Sequence, residues 1–152
     1  MRFTLLAVGR LRPIFRAPAD EYLRRLRRYA PVAEVEVREA GKAITAEAGC
    51  RQEAARLRER FPLAGHVVVL DRAGKGWSSE QLAAHLDAWR LSSRPVALVL
   101  GGSRGLESGL IHEATDGWSL GPIPLPHELA RVVVLEQLYR AWTILRGEPY
   151  HK

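Results

Sequence analysis

The feature that most limits what this chain can fold into is a set of short apolar runs, each too short to be a helix. "RFTLLAV" (2–8), "HVVVL" (66–70) and "PVALVL" (95–100) are continuously apolar and rich in β-branched residues, and "VAEVEV" (32–37) alternates. Runs of this length and composition read as strands. A strand that is apolar along its whole length is buried on both faces. That condition arises when helices cover both sides of a mainly parallel sheet. The expectation is therefore one α/β domain over residues 1–152, with no repeat and no linker.

The segments between these runs fit that reading. Asp20–Tyr29 carries Tyr22, Leu23, Leu26 and Tyr29 on one helical side, after a proline-broken stretch "LRPIFRAPA" that reads as a loop. Ile44–Phe61 is an Ala- and Arg-rich helical segment that contains the poor helix former Gly49. "DRAGKGW" reads as a glycine-rich turn, and Ser78 with Gln81 has the spacing of a capping box at the start of the next helix. "WSLGPIPLP" (118–126) reads as a last short strand or extended loop, and Pro126 suits the first turn of the final helix.

Composition excludes several classes. Cys50 is the single cysteine, which rules out an internal disulfide framework and leaves no Cys-based zinc site. No stretch approaches the roughly 20 apolar residues of a membrane span, and the start lacks a secretory cleavage pattern, so a cytoplasmic protein without a membrane or metal partner is expected. The net charge of +6 is unevenly placed. Residues 1–62 hold 14 Lys and Arg against 8 Asp and Glu, whereas 63–152 hold 9 of each. The densest stretch is "YLRRLRRYA" (22–30). Arg24 and Arg28 there are either a solvated helix face or a surface that attracts nucleic-acid phosphates.

Open α/β sheets bind ligands at the carboxyl ends of their strands, which nominates Asp71–Trp77, Gly101–Gly109 and Leu120–Pro126. None matches a nucleotide fingerprint. "LGGSRG" has the wrong glycine spacing for a dinucleotide loop, and "GKG" lacks the hydroxyl of a phosphate loop. In "LGPIPLP", three prolines remove backbone donors and fix φ, so the stretch cannot pair centrally in a sheet. It is either a stiff connector or a rigid loop that holds a planar heterocycle by its remaining N–H groups at Leu120, Gly121, Ile123 and Leu125. The last helix carries an apolar arc from Ala130 to Leu145 interrupted by Arg131. An arc this wide implies either a central helix or cover from a second subunit.

Taken together, "VVVLDRAGKGW", "LVLGGSRGL", "LPHELARVVVLEQLYRAW" and "RGEPYHK" resemble one family along the whole chain. It is the small SPOUT-class family of ribosomal RNA large-subunit methyltransferases that methylate N3 of a pseudouridine in 23S ribosomal RNA. The resemblance implies a trefoil knot near the carboxyl end, an S-adenosylmethionine pocket formed by it, a homodimer, and the ribosome as partner. It places cofactor-binding residues at Leu70, Gly101, Gly102, Leu120, Gly121, Pro122, Ile123, Pro124 and Leu125. Pro124 stands where relatives commonly have threonine, and Lys152 where some have arginine. Within that frame, Tyr150 and His151 are candidate catalytic groups, and Arg24, Arg28 and Lys152 are candidate RNA contacts. Two alternatives stay open: a non-catalytic RNA-binding module, and a methyltransferase for another RNA base.

Overall fold

The apolar runs form the strands of a single parallel sheet. In the computed structural model, which describes residues 1–152, these are β1 (Phe3–Val8), β2 (Val32–Val37), β3 (His66–Gly76), β4 (Val96–Leu100) and β5 (Asp116–Ser119). Their order across the sheet is β2-β1-β4-β3-β5, and every pairing is parallel. Five helices connect them: α1 (Pro13–Leu26), α2 (Ala46–Arg58), α3 (Ser79–Ser92), α4 (Ser108–Glu113) and α5 (His127–Arg146).

Alternate residues of the central strands feed two cores, as the pleat requires. Phe3, Leu5, Val68 and Leu98 face one side, packed with Leu23, Leu86, Leu138 and Trp142 from α1, α3 and α5. Leu6, Val8, Val69 and Val99 face the other, packed with Leu57 and Leu110 from α2 and α4. The α/β expectation thus holds on both faces.

Local differences from the sequence reading have physical causes. Helix α1 begins at Pro13, so most of the supposed proline-broken loop is helical. Pro13 sits in the first turn, where a missing N–H costs nothing. Pro18 lies inside the helix, where burial of Ala19, Leu23 and Leu26 outweighs the lost backbone bond. The "DRAGKGW" segment is mostly strand. β3 leaves its register at Leu70, opposite Trp118, and rejoins at Lys75 and Gly76, so Asp71–Gly74 form a bulge. Gly74 permits this, because a Cβ there would lie 2.6 Å from the carbonyl carbon of Gly117. Helix α4 had no counterpart in the sequence reading; its anchor is the fully buried Leu110. The Ser78–Gln81 capping box is present in full, with Ser78 Oγ accepting from Gln81 N at 3.1 Å and Gln81 Oε1 accepting from Ser78 N at 2.8 Å. Pro126 is the N-cap of α5.

The wide arc of α5 is largely covered by the chain itself. Helix α5 packs between α1 and α3, and Trp142 is 5% exposed, edge-on to Phe3 and stacked on Tyr29 at 5.6 Å. Arg131 does not break the buried face. Its guanidinium, 2% exposed, donates to Glu36 at 2.7 Å and to the carbonyls of Val8 and Gly9 at 3.3 and 2.9 Å. The start of α5 is thereby tied to the carboxyl end of β1.

Candidate functional site

The carboxyl ends of β3, β4 and β5 and the first turn of α5 enclose a cavity of about 590 Å³, within the range of small-ligand sites. It is lined by Leu70, Gly101, Gly102, Leu120, Gly121, Ile123, Pro124 and Leu125, so eight of the nine positions expected to meet a cofactor converge on it; Pro122 does not line it. Asp71, Arg72, Ser103 to Leu106 and Pro126 of the remaining wall lie in the loops nominated by the strand-end rule, whereas Leu100, Trp118, Ser119, His127 and Ala130 lie outside them. Asp71 and Arg72 come from the β3 bulge, Ser103 to Leu106 from the loop after β4, Trp118 and Ser119 from β5, and His127 and Ala130 from α5. The bulge was the missed signal, since a glycine-rich stretch after an apolar strand reads as a turn rather than as a strand interrupted over a ligand.

The glycines shape the cavity from behind. A Cβ at Gly101 would lie 2.7 Å from the backbone of Gly105, and the 102–105 turn closes through the Gly105 N–H to the Gly102 carbonyl at 3.1 Å. A Cβ at Gly102 would point at Val8, 3.0 Å from its Cγ1, and so into the core rather than into the cavity. Gly121 adopts φ +115°, which only glycine takes without strain. Its N–H already donates to Ser119 Oγ at 3.1 Å, so it is not a free donor. Ile123 and Leu125 donate to no protein acceptor.

Arg104 fixes the loop after β4 to α2. Its Nη1 donates to the Ala40 carbonyl at 3.0 Å and to Glu53 Oε1 at 3.3 Å, and its Nη2 to the Gly41 carbonyl at 2.9 Å. Trp118 of the β5 wall stacks on Trp77 at 5.7 Å, and His85 also stacks on Trp77 at 3.9 Å. In the first turn of α5, Glu128 accepts from the Arg12 backbone N–H and Nε, both at 2.8 Å. The backbone donor is the main reason its carboxyl lies below the usual range, with the guanidinium adding to it.

The final residues lie along α5, apart from this cavity. The Tyr150 hydroxyl donates to Glu136 Oε1 at 3.0 Å, its ring meets Tyr139 edge-on at 4.8 Å, and the Arg140 guanidinium sits 4.9 Å above it. Burial, then hydrogen bonding, raises the Tyr150 phenol well above its usual range. His151 bridges Arg140 Nη1, 3.3 Å from Nδ1, and Glu80 Oε1, 2.9 Å from Nε2. Arginine only donates, so Nδ1 is the acceptor and Nε2 carries the proton toward Glu80. Lys152 is exposed. Of the candidate RNA contacts on α1, Arg24 is held by Glu21 at 2.6 Å, whereas Arg28 has no such partner and lines a shallow concavity with Arg146. No cluster of His, Cys, Asp and Glu is arranged to hold a metal ion, and no helix is long and apolar enough to cross a membrane.

Comparison with known proteins agrees with this geometry. Residues 1–151 match the family described as "Predicted SPOUT methyltransferase". The ribosomal RNA large subunit methyltransferase H of Rubrobacter xylanophilus is 50% identical over 154 residues, covering 99% of this chain and 98% of that protein. The Pseudomonas aeruginosa protein of the same name is 41% identical over 155 residues, the full length of both. Among solved structures, a Bordetella pertussis protein described as a methyltransferase aligns with a TM-score of 0.54 at 18% identity, over 92% of this chain and 95% of that one. A Legionella pneumophila protein, described as a methyltransferase in complex with the bound cofactor SAM, aligns with a TM-score of 0.51 at 13% identity, over 93% of this chain and 66% of that one. The two structures speak to the fold alone. The full-length relatives and the family match place the chain itself: it belongs to the SPOUT methyltransferases, in the family of ribosomal RNA large subunit methyltransferase H.

Proposed function

We propose that this chain methylates N3 of a pseudouridine in 23S ribosomal RNA, using S-adenosylmethionine, as a homodimer acting on the assembled ribosome. The observation that carries the reading is the convergence of eight expected cofactor positions on one cavity of about 590 Å³. That space suits a nucleoside-sized ligand. The unused N–H groups of Ile123 and Leu125, beside the apolar side chains of Leu70, Leu120 and Ile123, suit an adenine ring held by backbone bonds. When bound there, the cofactor supplies an electrophilic methyl group on a sulfonium. The Legionella pneumophila protein of similar fold, solved with bound SAM, supports the same cofactor.

The trefoil knot is part of this reading. β5 lies at the sheet edge beside β3, yet the helix that follows it is bound to β1 through Arg131 and to the β1–α1 loop through Glu128. That return from the sheet edge to β1 is in keeping with a knot. A homodimer fits the half-exposed Val132 and Val133 on α5 and the exposed Ile123 at the cavity rim.

The protein's own groups would orient the base and move its N3 proton. Orientation supplies much of the acceleration in a transfer of this kind. Within one chain, Tyr150 and His151 lie away from the cavity, so they serve it across a dimer or after leaving their present contacts. His151 as docked has both ring nitrogens engaged, and it accepts a proton only once Arg140 releases Nδ1. The test is incubation of the purified protein with labelled S-adenosylmethionine and ribosomes lacking the modification. Label on the N3 of a 23S pseudouridine is expected. Label on another base would favour the other methyltransferase reading, and cofactor binding absent by calorimetry would favour the non-catalytic module.

A further inference from the structure

The arginines of the amino-terminal segment fall into two populations. Arg12, Arg16, Arg24, Arg25 and Arg58 each have a carboxylate oxygen within 2.8 Å. Arg28 takes part in no ion pair, and neither do Arg2, Arg10, Arg27, Arg38, Arg56 and Arg60 of the same segment or Arg146 of α5; what sets Arg28 and Arg146 apart is that they share a concavity. These two side chains line one concavity of about 360 Å³ with Tyr29 and Glu148, where the carboxyl ends of α1 and α5 meet. A cation at each helix terminus is favourable to the helix dipole. The dipole does not account for both guanidiniums converging on one concavity, where like charges repel.

The floor of the concavity is rigid. The Tyr29 ring stacks on Trp142 at 5.6 Å with 5° between the planes, and its hydroxyl donates to Glu148 at 2.5 Å. Burial and the Glu148 carboxylate push the Tyr29 phenol up to about 12, so this donor persists at all working pH. Glu148 in turn donates its backbone N–H to Thr143 at 2.9 Å and accepts from Tyr150 N at 2.9 Å. The one carboxylate present is held at Oε2 by the Tyr29 hydroxyl, and its single negative charge leaves the two guanidiniums in excess.

We propose that the concavity between the carboxyl ends of α1 and α5 is a backbone-phosphate site for the RNA substrate, with Arg28 and Arg146 as its two donors. A phosphate held there relieves the guanidinium repulsion and fixes the nucleic acid beside the turn that carries Tyr150 and His151. Phosphate contacts position a substrate without reading its sequence. Arg24, tied to Glu21, adds only to the general field.

This assignment rests on the ribosomal RNA reading, and its test separates the two. Affinity for ribosomes and for protein-free large-subunit RNA is measured against salt for the wild type, for the double variant Arg28→Gln/Arg146→Gln, and for Arg24→Gln. Two lost phosphate contacts lower the log–log salt slope by about 1.4–1.8. The double variant is expected to show that drop and a several-fold higher KM, with unchanged kcat, cofactor affinity and circular dichroism. Arg24→Gln is expected to keep nearly the full slope. An unaltered slope in the double variant, or an equal loss in Arg24→Gln, overturns the site while wild-type methylation keeps the functional reading. A drop seen only with protein-containing particles assigns the concavity to an acidic protein surface and also overturns it. Wild-type protein that neither binds nor methylates ribosomal RNA overturns the functional reading, and the site with it.

Discussion

Arg104 lies across α2 at Gly49, so closely that a Cβ on Gly49 would sit 2.8 Å from its Nε and 2.9 Å from its Cδ and Cζ. A glycine in mid-helix forfeits about 1 kcal/mol against alanine, and here it admits the guanidinium that reaches Glu53. That carboxylate is 2% exposed and its Oε2 has no partner, so Arg104 is the one cation beside it.

Replacing Gly49 by Ala is therefore expected to destabilise the fold in spite of the better helix former. The displaced atoms belong to a flexible side chain and can move, but moving them leaves the buried Glu53 carboxylate without a cation, with only the Ala40 N–H at 3.0 Å. A net loss of about 1–2 kcal/mol is expected, from the cost of an unsatisfied buried group less the gain in propensity. Arg104→Ala should lose more, about 3 kcal/mol, because it removes one partner of a buried pair outright. Urea midpoints measure both. A Gly49→Ala protein more stable than the wild type would show that the crossing carries no weight.

A second expectation concerns acid. Glu128 has its carboxyl held below the ordinary value, first by the Arg12 backbone N–H and then by its guanidinium. A depressed carboxyl contributes stability that is fully present above its unfolded value and is lost as pH falls through the folded one. At pH 7, Glu128→Gln is expected to lose about 1–3 kcal/mol, the range for hydrogen bonds to a charged group. The exposed Arg12 guanidinium accounts for little of that. As pH falls below the ordinary glutamate value of about 4.3 the gap between the two proteins should begin to narrow, and it closes only below the depressed folded value, where both side chains are neutral. A constant gap from pH 7 to pH 3 would assign the effect to packing instead.

These two contacts also show where sequence reading stops. The strands were legible because most of them are short, continuously apolar runs that only burial on both faces explains, and the Ser78–Gln81 cap because its partners are three residues apart. The Gly49–Arg104 crossing spans 55 positions, and nothing local in "AEAGCRQ" marks Gly49 as a place for a side chain to lie. Arg131 read as a break in an apolar arc because periodicity does not reveal that three acceptors await it at the ends of β1 and β2. The cavity's loops followed from the rule that ligands sit at the carboxyl ends of parallel strands. Asp71 and Arg72 fell within a nominated loop, but the bulge that presents them did not follow from the sequence, because it depends on Gly74 meeting Gly117 of another strand. The expected roles of individual loop residues came from family resemblance rather than from periodicity or spacing.

The direction of the Gly102 Cβ alters what a substitution there should do. It points to Val8, which is 1% exposed, and not into the cavity. Gly102→Val is thus expected to lose stability by about 1–3 kcal/mol through overpacking, with weakened cofactor binding as the loop is pushed outward. Calorimetry and thermal melts on the same preparation measure the two. Lost affinity at unchanged stability would mean that the side chain enters the ligand space after all.

The last expectation separates anchoring from chemistry in the terminal segment. Tyr150 is bound to Glu136 and packed on Tyr139 and Arg140, so the segment is attached and not frayed. Tyr150→Phe keeps the ring and removes the hydroxyl, and it is expected to lose about 0.5–1.5 kcal/mol. His151 is different. Its partner Glu80 is 64% exposed at the side chain, and a contact so open adds little to stability. His151→Ala should therefore melt near the wild-type temperature and bind cofactor equally well. If the imidazole accepts the N3 proton, methylation of ribosomes should fall by about 10²–10⁴-fold. The defect should shrink as pH rises, because the base then loses its N3 proton unaided. Glu80→Gln supplies the control: it weakens the docked arrangement while leaving the imidazole present, so its rate should stay within a few-fold of the wild type. A His151→Ala defect that is small and independent of pH would make the ring a positioning group for RNA, and full activity would remove it from the reaction.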